Sequence, residues 1–400
     1  MSDTYIIEKR GDLVLSWLLG ADGRAVSIRA DREESGPQTG EIYAGRVQRV
    51  RADLKAAFVD IGPGITGYLP FEESEDAVFI RKGGGKGLAQ GDELLVQVSS
   101  EAQKTKDARL TARLSLQGMY SVVSLADGSA GVSKRLPEEE RERLRALAER
   151  IRQDARYGLI LRTNAAFAPE EAVAEEIRAL RERLQKIEAE GIHRTTGSRI
   201  YSPGSSWQKR LLSLDLQSTR KIVADGEELY RGARSYLKEC GSPLEERVTL
   251  YEDPMISCRA LYSLDRELRD ALAERVWLPG GGYLVIQPTE ALTVIDVNSG
   301  KAVSRKDKEE AVLKVNLEAA REICRQLRLR EISGIVIVDF INQQQEDSKD
   351  KLLAALRSGL REDPHPSALI GFTALGLVEL TRKKMGPALR ETASRLLPGA

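Results

Sequence analysis

Histidine is almost absent from this 400-residue sequence, which contains only His193 and His365. His365 lies in the segment DPHPS, whose two prolines indicate a turn. Nucleophilic catalysis of the Ser/His/Asp or Cys/His type needs a histidine as its base, so this chemistry is disfavoured. Metal-assisted chemistry gains weight by elimination.

Cysteine is also scarce, and Cys240, Cys258 and Cys324 stand singly without a CxxC pair. A disulfide framework or a structural zinc site needs paired or clustered cysteines. We therefore expect neither a disulfide framework nor a bound zinc ion in this chain.

Long apolar runs and net charge are missing as well. No apolar run approaches the roughly 20 residues that span a bilayer, and the opening residues, MSDTYIIEKRGD, lack a secretory signal pattern. We expect a cytoplasmic protein without a membrane span. Lys+Arg and Asp+Glu both number 61, so any site for a polyanion must be a local basic patch.

Two short apolar segments that each lead into an aspartate are the most informative feature present. ALTVIDVNSG contains Asp296, GIVIVDFIN contains Asp339, and a helical pattern lies between them at about residues 305–330. This order predicts two parallel strands joined by a right-handed crossover. Both aspartates would then lie at carboxyl ends of strands, where open parallel sheets bind ligands.

The side chains expected at this edge suit a hard divalent cation. Asn298 and Ser299 follow Asp296 closely, which adds an amide oxygen and a hydroxyl to the two carboxylates. Such oxygen ligands bind Mg²⁺, with Mn²⁺ as a substitute, and leave positions for water and a substrate phosphate. The alternative is that Asp296 only stabilises an Asx turn and Asp339 only caps a loop.

Short strands with frequent turn residues over residues 38–118 predict a small Greek-key barrel. Its segments GEIYAGRVQRV, AAFVDIG and GYLPFEE resemble the RNA-binding OB-fold of ribosomal proteins and ribonucleases. Phe58 and Tyr68 fall where such a barrel exposes aromatic rings for stacking, and Lys106 belongs to a possible basic rim. The alternative is that both aromatic residues are part of the core.

Two strongly charged helical patterns, residues 137–153 and 169–190, follow the barrel. Between them, the buried-strand pattern YGLILRTNAAF ends in Arg162 and Thr163. A guanidinium group and a hydroxyl beside helix amides could bind a terminal phosphate. The alternative is an ordinary surface arginine.

A basic cluster near the carboxyl terminus contains Arg382 and Lys383, within the segment TRKKM. Cations close to a pair of metal-binding carboxylates would neutralise a phosphodiester and its transition state. We therefore predict that both residues contact RNA.

Three segments, in this order, carry a resemblance to a known family: IDVNSG, NLEAAREICRQLRLREISGIVIVDFI and GLVELTRKKMGPAL. They resemble the ribonuclease E/G family of bacterial endoribonucleases, over nearly the whole chain to about Arg390. The resemblance implies an α+β / α/β multidomain fold. Its expected parts are a split RNase H-like domain (1–37 and 206–275), an OB-fold barrel (38–118), a 5′-sensor region (119–205) and a DNase-I-like catalytic subdomain (276–400).

The resemblance also implies a function. It predicts Mg²⁺-dependent cleavage of single-stranded, A/U-rich RNA in RNA processing and decay, leaving a 5′-phosphate and a 3′-hydroxyl. Asp296 and Asp339 would bind the ion, with Asn298 as a further catalytic residue. Arg162 and Thr163 would contact a 5′-monophosphate, and the strand would be held by Phe58, Tyr68 and Lys106.

Two departures from the family pattern stand out. The family usually continues into a paired-cysteine zinc link that builds a dimer, whereas residues 386–400 contain no cysteine. Either the chain is trimmed or it is a minimal member, so a homodimer is left open. Asn342 stands where an acidic residue is common. The alternative function is an RNA-binding protein that recognises 5′ ends without cutting.

Overall fold

The computed structural model describes residues 3–32, 36–102, 106–152, 156–300 and 308–396. Within them the strands are β1 (Asp3–Arg10), β2 (Leu13–Leu19), β3 (Ala25–Arg32), β4 (Ile42–Arg51), β5 (Ala56–Gly62), β6 (Ile65–Pro70), β7 (Phe79–Arg81), β8 (Glu93–Ser100), β9 (Ala108–Thr111), β10 (Ser115–Gln117), β11 (Ser121–Val132), β12 (Tyr157–Leu161), β13 (Arg199–Tyr201), β14 (Thr219–Ala224), β15 (Val248–Leu250), β16 (Arg275–Trp277), β17 (Tyr283–Pro288), β18 (Leu292–Asn298), β19 (Gly334–Asp339), β20 (Ser367–Phe372) and β21 (Val378–Arg382). The α-helices are α1 (Glu138–Arg152), α2 (Glu170–Gly191), α3 (Ser206–Leu211), α4 (Glu227–Glu239), α5 (Cys258–Leu261), α6 (Leu264–Leu272), α7 (Lys308–Leu329), α8 (Glu346–Arg361) and α9 (Leu389–Ala393).

The chain divides into two compact units, and one interrupts the other. The first unit contains Met1–Glu33, Thr219–Tyr230 and Val248–Ala400. The second unit contains Glu34–Ser218 and Arg231–Arg247. The first unit is therefore built from three separate parts of the sequence.

The smaller sheet of the first unit has the strand order β15-β14-β1-β2-β3. β1 pairs in parallel with β14, so the amino-terminal strands share a sheet with a strand about two hundred residues later. Trp17 is fully buried in the core between this sheet and α6. Buried Glu8 accepts hydrogen bonds from Trp17 Nε1 at 3.0 Å and Arg10 Nε at 2.8 Å, so a charge inside the unit is paired.

The larger sheet of the first unit has the order β16-β17-β18-β19-β21-β20. β18 and β19 are parallel and joined through α7, which confirms the predicted strand, helix and strand. The predicted start of this helix, at about residue 305, lies outside the described residues. The other pairs in the sheet are antiparallel.

One face of this larger sheet packs on α7 and α8. Ile295, Val297 and Val338 face this core and meet side chains such as Ile323 and Leu356 of the two helices. Because side chains alternate along a strand, the residues between them point to the opposite face. We call this second surface the open face.

The second unit contains a closed five-stranded barrel, β4-β5-β6-β9-β8, in which β4 also pairs with β8. β6 and β9 are parallel and the other barrel pairs are antiparallel. Its interior holds small and branched residues such as Val47, Val59, Val96 and Leu110. The barrel is consistent with the predicted OB-fold.

The remainder of the second unit carries the two charged helices that the sequence predicted. α2 buries Val173, Ile177, Leu180 and Leu184, a stripe with the three-and-four spacing of one helix face. Both helices contact the small sheet β10-β11-β12, α1 through β11 and β12, and α2 through β10 and β11. In the described part of the chain, no helix is both long and apolar enough to cross a membrane.

The barrel interior generates a stability prediction at Gly45. A Cβ added there would lie 2.6 Å from Val59 Cγ1 and 3.1 Å from Val96 Cγ2, two stiff branched side chains. We expect Gly45→Ala to lower the free energy of unfolding by about 1 to 3 kcal/mol through overpacking. Gly87 has nothing within 4 Å and serves as the control. Equal urea midpoints for Gly45→Ala and Gly87→Ala would contradict the packing argument.

Candidate functional site

Asp296 and Asp339 are direct partners in the register of the parallel strands β18 and β19. Both side chains are exposed, whereas the neighbouring Ile295, Val297 and Val338 are buried. Adjacent strands are about 4.8 Å apart, so the carboxylates leave the open face side by side. The structure thus brings together the two aspartates that the sequence singled out.

The third predicted residue, Asn298, is the last residue of β18. Asn298 Nδ2 donates a hydrogen bond of 2.6 Å to Asp296 Oδ2 and orients that carboxylate. Gly300 has a φ of +56°, and a Cβ there would lie only 2.5 Å from the carbonyl oxygen of Gly281. A glycine is therefore needed at this position, because the loop between β16 and β17 presses against the turn.

This donor set fits a hard divalent cation. Two like charges placed directly opposite on neighbouring strands repel each other, and a cation between them removes the repulsion. Carboxylate and amide oxygens are the ligands that Mg²⁺ takes in proteins, together with water and phosphate oxygens. Among the described residues, no group of three or more His, Cys, Asp or Glu side chains could hold a metal ion. Within the described residues, the acidic groups at this edge of the sheet are thus the carboxylates of Asp296 and Asp339.

Arg382 does not contribute to a surface patch, which corrects the prediction that it contacts RNA. Its side chain is 1% exposed. Nε and Nη2 donate to the Asp363 carboxylate at 2.8 and 3.1 Å, and Nη1 donates to Glu331 Oε1 at 2.8 Å. Val378 and Leu380 are buried on the same side of β21, so the alternation already placed Arg382 inward. Lys383 is exposed and remains a candidate contact.

Phe58 and Tyr68 lie side by side on the outside of the barrel. They are register partners on β5 and β6, with ring centroids 5.9 Å apart in an edge-to-face arrangement. Both are half-buried, and neither belongs to the buried barrel core. Lys106 is exposed just before β9.

Two arginines that sequence reasoning missed extend this aromatic pair. Arg49 pairs with Phe58 in the register, and its guanidinium lies 4.4 Å from the Phe58 ring centroid. Arg109 pairs with Tyr68 on the other side. The row Arg49, Phe58, Tyr68 and Arg109 thus crosses four strands. A register shift between Val47 and Arg49 hides this alignment in the sequence.

Arg162 and Thr163 lie at the carboxyl end of β12, as predicted, but the Arg162 side chain is largely committed to the protein. Its Nη1 donates to the carbonyl oxygens of Gly118 at 2.5 Å and Leu212 at 2.7 Å, and its Nη2 donates to Ser213 Oγ at 3.2 Å. Burial lowers the pKa of the Arg162 guanidinium below its usual value.

Thr163 lies beside another hydroxyl. Thr163 Oγ1 and Ser133 Oγ are 3.1 Å apart, within hydrogen-bond distance. Arg162 and Thr163 therefore place a guanidinium group and a hydroxyl pair at one end of the small sheet.

Comparison with known proteins identifies the family. The model of the Ribonuclease E/G family matches residues 115–385. The chain belongs to this family. It is 32% identical over 380 residues to ribonuclease G of Haemophilus influenzae, which covers 92% of this chain and 77% of that protein. For ribonuclease G of Escherichia coli (strain K12), identity is 33% over 372 residues, with 89% of this chain and 75% of that protein covered.

A ribonuclease E is also similar to this chain. The protein from Nostoc sp. is 36% identical over 364 residues, which covers 88% of this chain and 52% of the relative. The chain thus spans about three quarters of these ribonuclease G proteins and about half of this ribonuclease E.

The neighbours Arg382 and Lys383 generate a paired stability prediction. Arg382→Met leaves Asp363 and Glu331 as buried carboxylates without this partner, so we expect a loss of about 3 to 5 kcal/mol in the free energy of unfolding. Lys383→Met changes an exposed side chain and should stay within about 0.5 kcal/mol. Urea unfolding of both variants measures the difference. Similar midpoints would show that the buried ion cluster contributes little.

Proposed function

We propose that this protein is a Mg²⁺-dependent endoribonuclease that cuts single-stranded RNA at Asp296 and Asp339. The observation that carries the proposal is the register match of these two aspartates on the open face, in a chain of the Ribonuclease E/G family. The reaction is hydrolysis of a phosphodiester in A/U-rich RNA, leaving a 5′-phosphate and a 3′-hydroxyl, as a step in RNA processing and decay.

Three side chains have roles in the proposed metal site. Mg²⁺, when bound, polarises a phosphoryl oxygen and lowers the pKa of a coordinated water. The Asp296 and Asp339 carboxylates would hold the ion. The Asn298 amide group keeps Asp296 in place through Nδ2, which leaves its oxygen as an acceptor for a hydrogen bond from the attacking water.

The barrel face would bind the single strand by stacking. Bases of any kind stack on aromatic rings, which gives affinity without strict sequence preference. Phe58 and Tyr68 offer the rings, and Arg49 and Arg109 flank them in the same row. Charges of this kind also attract the phosphates of the strand, so RNA affinity should fall as salt concentration rises.

The 5′-sensing part of the proposal rests on Arg162 and Thr163. The hydrogen bonds of Arg162 to Gly118, Leu212 and Ser213 use three of the five guanidinium N–H groups, so at most two can reach a phosphate. Arg162 would then act as a rigid charge, because the same bonds hold it in place. Thr163 would supply a further donor to a terminal monophosphate.

The metal-site proposal predicts the outcome of two conservative substitutions. Asp296→Asn and Asp339→Asn each remove one charge and preserve shape, so we expect cleavage of a labelled single-stranded RNA with Mg²⁺ to fall by at least about a thousandfold. Binding of the same RNA in EDTA should survive.

Asp350→Asn is the matched control, since Asp350 is an exposed aspartate on α8, a helix that covers the other face of the sheet. It should cleave at the parent rate. Undiminished cleavage by Asp296→Asn or Asp339→Asn would overturn the site assignment, and RNA binding without cleavage by the parent chain would favour the non-cutting alternative.

The 5′-sensing proposal predicts a change in substrate preference. Thr163→Val keeps the side-chain volume but loses the hydroxyl, and we expect it to reduce the ratio of cleavage rates for 5′-monophosphate and 5′-hydroxyl RNA by about tenfold, the size of one lost charge-assisted hydrogen bond. Ser213→Ala removes one hydrogen-bond partner of the Arg162 side chain. This variant tests whether the fixed position of Arg162 affects the same ratio of cleavage rates. An unchanged ratio in Thr163→Val, with normal thermal unfolding, would remove Thr163 from the pocket.

A further inference from the structure

Two aromatic side chains, Trp277 and Tyr283, lie on the open face near the two aspartates. Trp277 is 65% exposed, although its side chain is the largest of all. The ring centroids of Trp277 and Tyr283 are 5.2 Å apart. The Arg275 guanidinium lies 4.6 Å from the Tyr283 centroid and 5.8 Å from that of Trp277. We call these three residues the aromatic platform.

Packing of the sheet does not account for the aromatic platform. The alternate residues Val276 and Leu284 face the helices and contribute to the core, whereas Trp277 and Tyr283 point to the other side. Exposure of the large apolar ring of a tryptophan to water is unfavourable in free energy, and a smaller residue at this edge would avoid that cost. A role in binding explains its presence better than a role in stability.

The strand register joins the aromatic platform to the proposed metal site. Trp277 pairs with Tyr283, and Tyr283 pairs with Asn298. The next row contains Arg275 and Val285 and continues to Asp296 and Asp339. With strands about 4.8 Å apart, Tyr283 lies about 5 Å and Trp277 about 10 Å from Asn298 along the row.

The hairpin that carries the aromatic platform is fixed against the metal-site turn. A Cβ on Gly282 would lie 2.8 Å from the carbonyl oxygen of Asn298, and one on Gly300 would lie 2.5 Å from that of Gly281. Leu278 N also donates to Gly282 O at 2.8 Å. The hairpin and the turn are therefore in close backbone contact, which is the kind of arrangement that positioning of a substrate requires.

We infer that Trp277 and Tyr283 form a subsite for the base of a nucleotide next to the phosphate that is cut. This inference rests on the proposed function. The occupant is a nucleobase of the single strand, because the face carries rings for stacking, a guanidinium beside them for the anionic backbone, and an unbroken row of side chains to Asn298. A base held there sets the neighbouring phosphate over the two aspartates.

Substrates with a missing base locate this subsite. In a short RNA with one cleavage site, an abasic residue is placed in turn at each position beside the cut. We expect KM of the parent chain to rise about tenfold at one position only, as stacking energies predict, with kcat less affected. In Trp277→Ala, KM for the intact RNA should rise by a similar factor, and the abasic residue should add nothing at that position.

Fluorescence gives a second measurement that needs no cleavage. The chain has three tryptophans, and Trp17 is fully buried. In EDTA, a 2-aminopurine base at the same position should be quenched by the parent chain and by Trp277→Phe, which keeps a ring, but not by Trp277→Ala.

Leu375→Ala is the matched control. Leu375 is 86% exposed in the loop between β20 and β21, at the opposite edge of the same sheet. It removes a comparable apolar side chain without touching the aromatic platform, so KM and quenching should stay at parent values.

The outcomes separate the inference from the proposed function. If the parent chain cleaves RNA but a missing base has no effect specific to one position, the subsite is wrong and the proposed function stands. Quenching lost in Trp277→Ala without any cleavage by the parent chain supports the subsite while the function fails. If Trp277→Ala instead splits a dimer in sedimentation, and RNA binding is unchanged, the face binds a second copy of the chain and the inference is wrong.

Discussion

The parallel pairing of β18 with β19 is the constraint on which the candidate site depends. Each strand contributes one aspartate, and only an in-register parallel pair brings both to the same face and the same end. The crossover through α7 makes this pairing possible, because parallel neighbours need a long connection. The hydrophobic contacts of α7 and α8 cover one face of the sheet and leave the other for the carboxylates. The alternation of side chains along β18 and β19 thus explains both the packed core on one face and the exposed carboxylates on the other.

The charged residues of this structure fall into two groups, those that are buried and paired and those that are exposed. Glu8, Glu331, Asp363 and Arg382 are buried and paired, so they connect secondary-structure elements within the first unit. Removing one member would leave the others uncompensated in a medium of low polarity. The exposed charges on the open face and on the barrel meet solvent, where a ligand can reach them. The role of a basic residue therefore cannot be assigned from the sequence until its burial is known.

Both candidate RNA surfaces are rows of register-paired residues that cross neighbouring strands. On the barrel, Arg49 and Arg109 flank the pair Phe58 and Tyr68. On the open face, Trp277 and Tyr283 lead to Asn298. Each row combines rings that can stack on bases with groups that can meet phosphates, which suits a single strand whose bases are unpaired.

By itself the sequence determined the local structure: the apolar runs that became β18 and β19, the helical pattern of α7, the short strands of the barrel and the charged helices. It also placed Asp296 and Asp339 at strand ends, because strand, helix and strand order leaves little choice of topology. Only the tertiary structure decided which side chains share a row. Register depends on pairing between distant segments, and a shift of one residue moves a side chain to the other face. The burial of Arg382 beside an exposed Lys383 follows the alternation along β21. The pairing of Trp277 with Tyr283, and of Tyr283 with Asn298, depends on register, so Trp277 belongs to a surface that its sequence neighbours do not reveal.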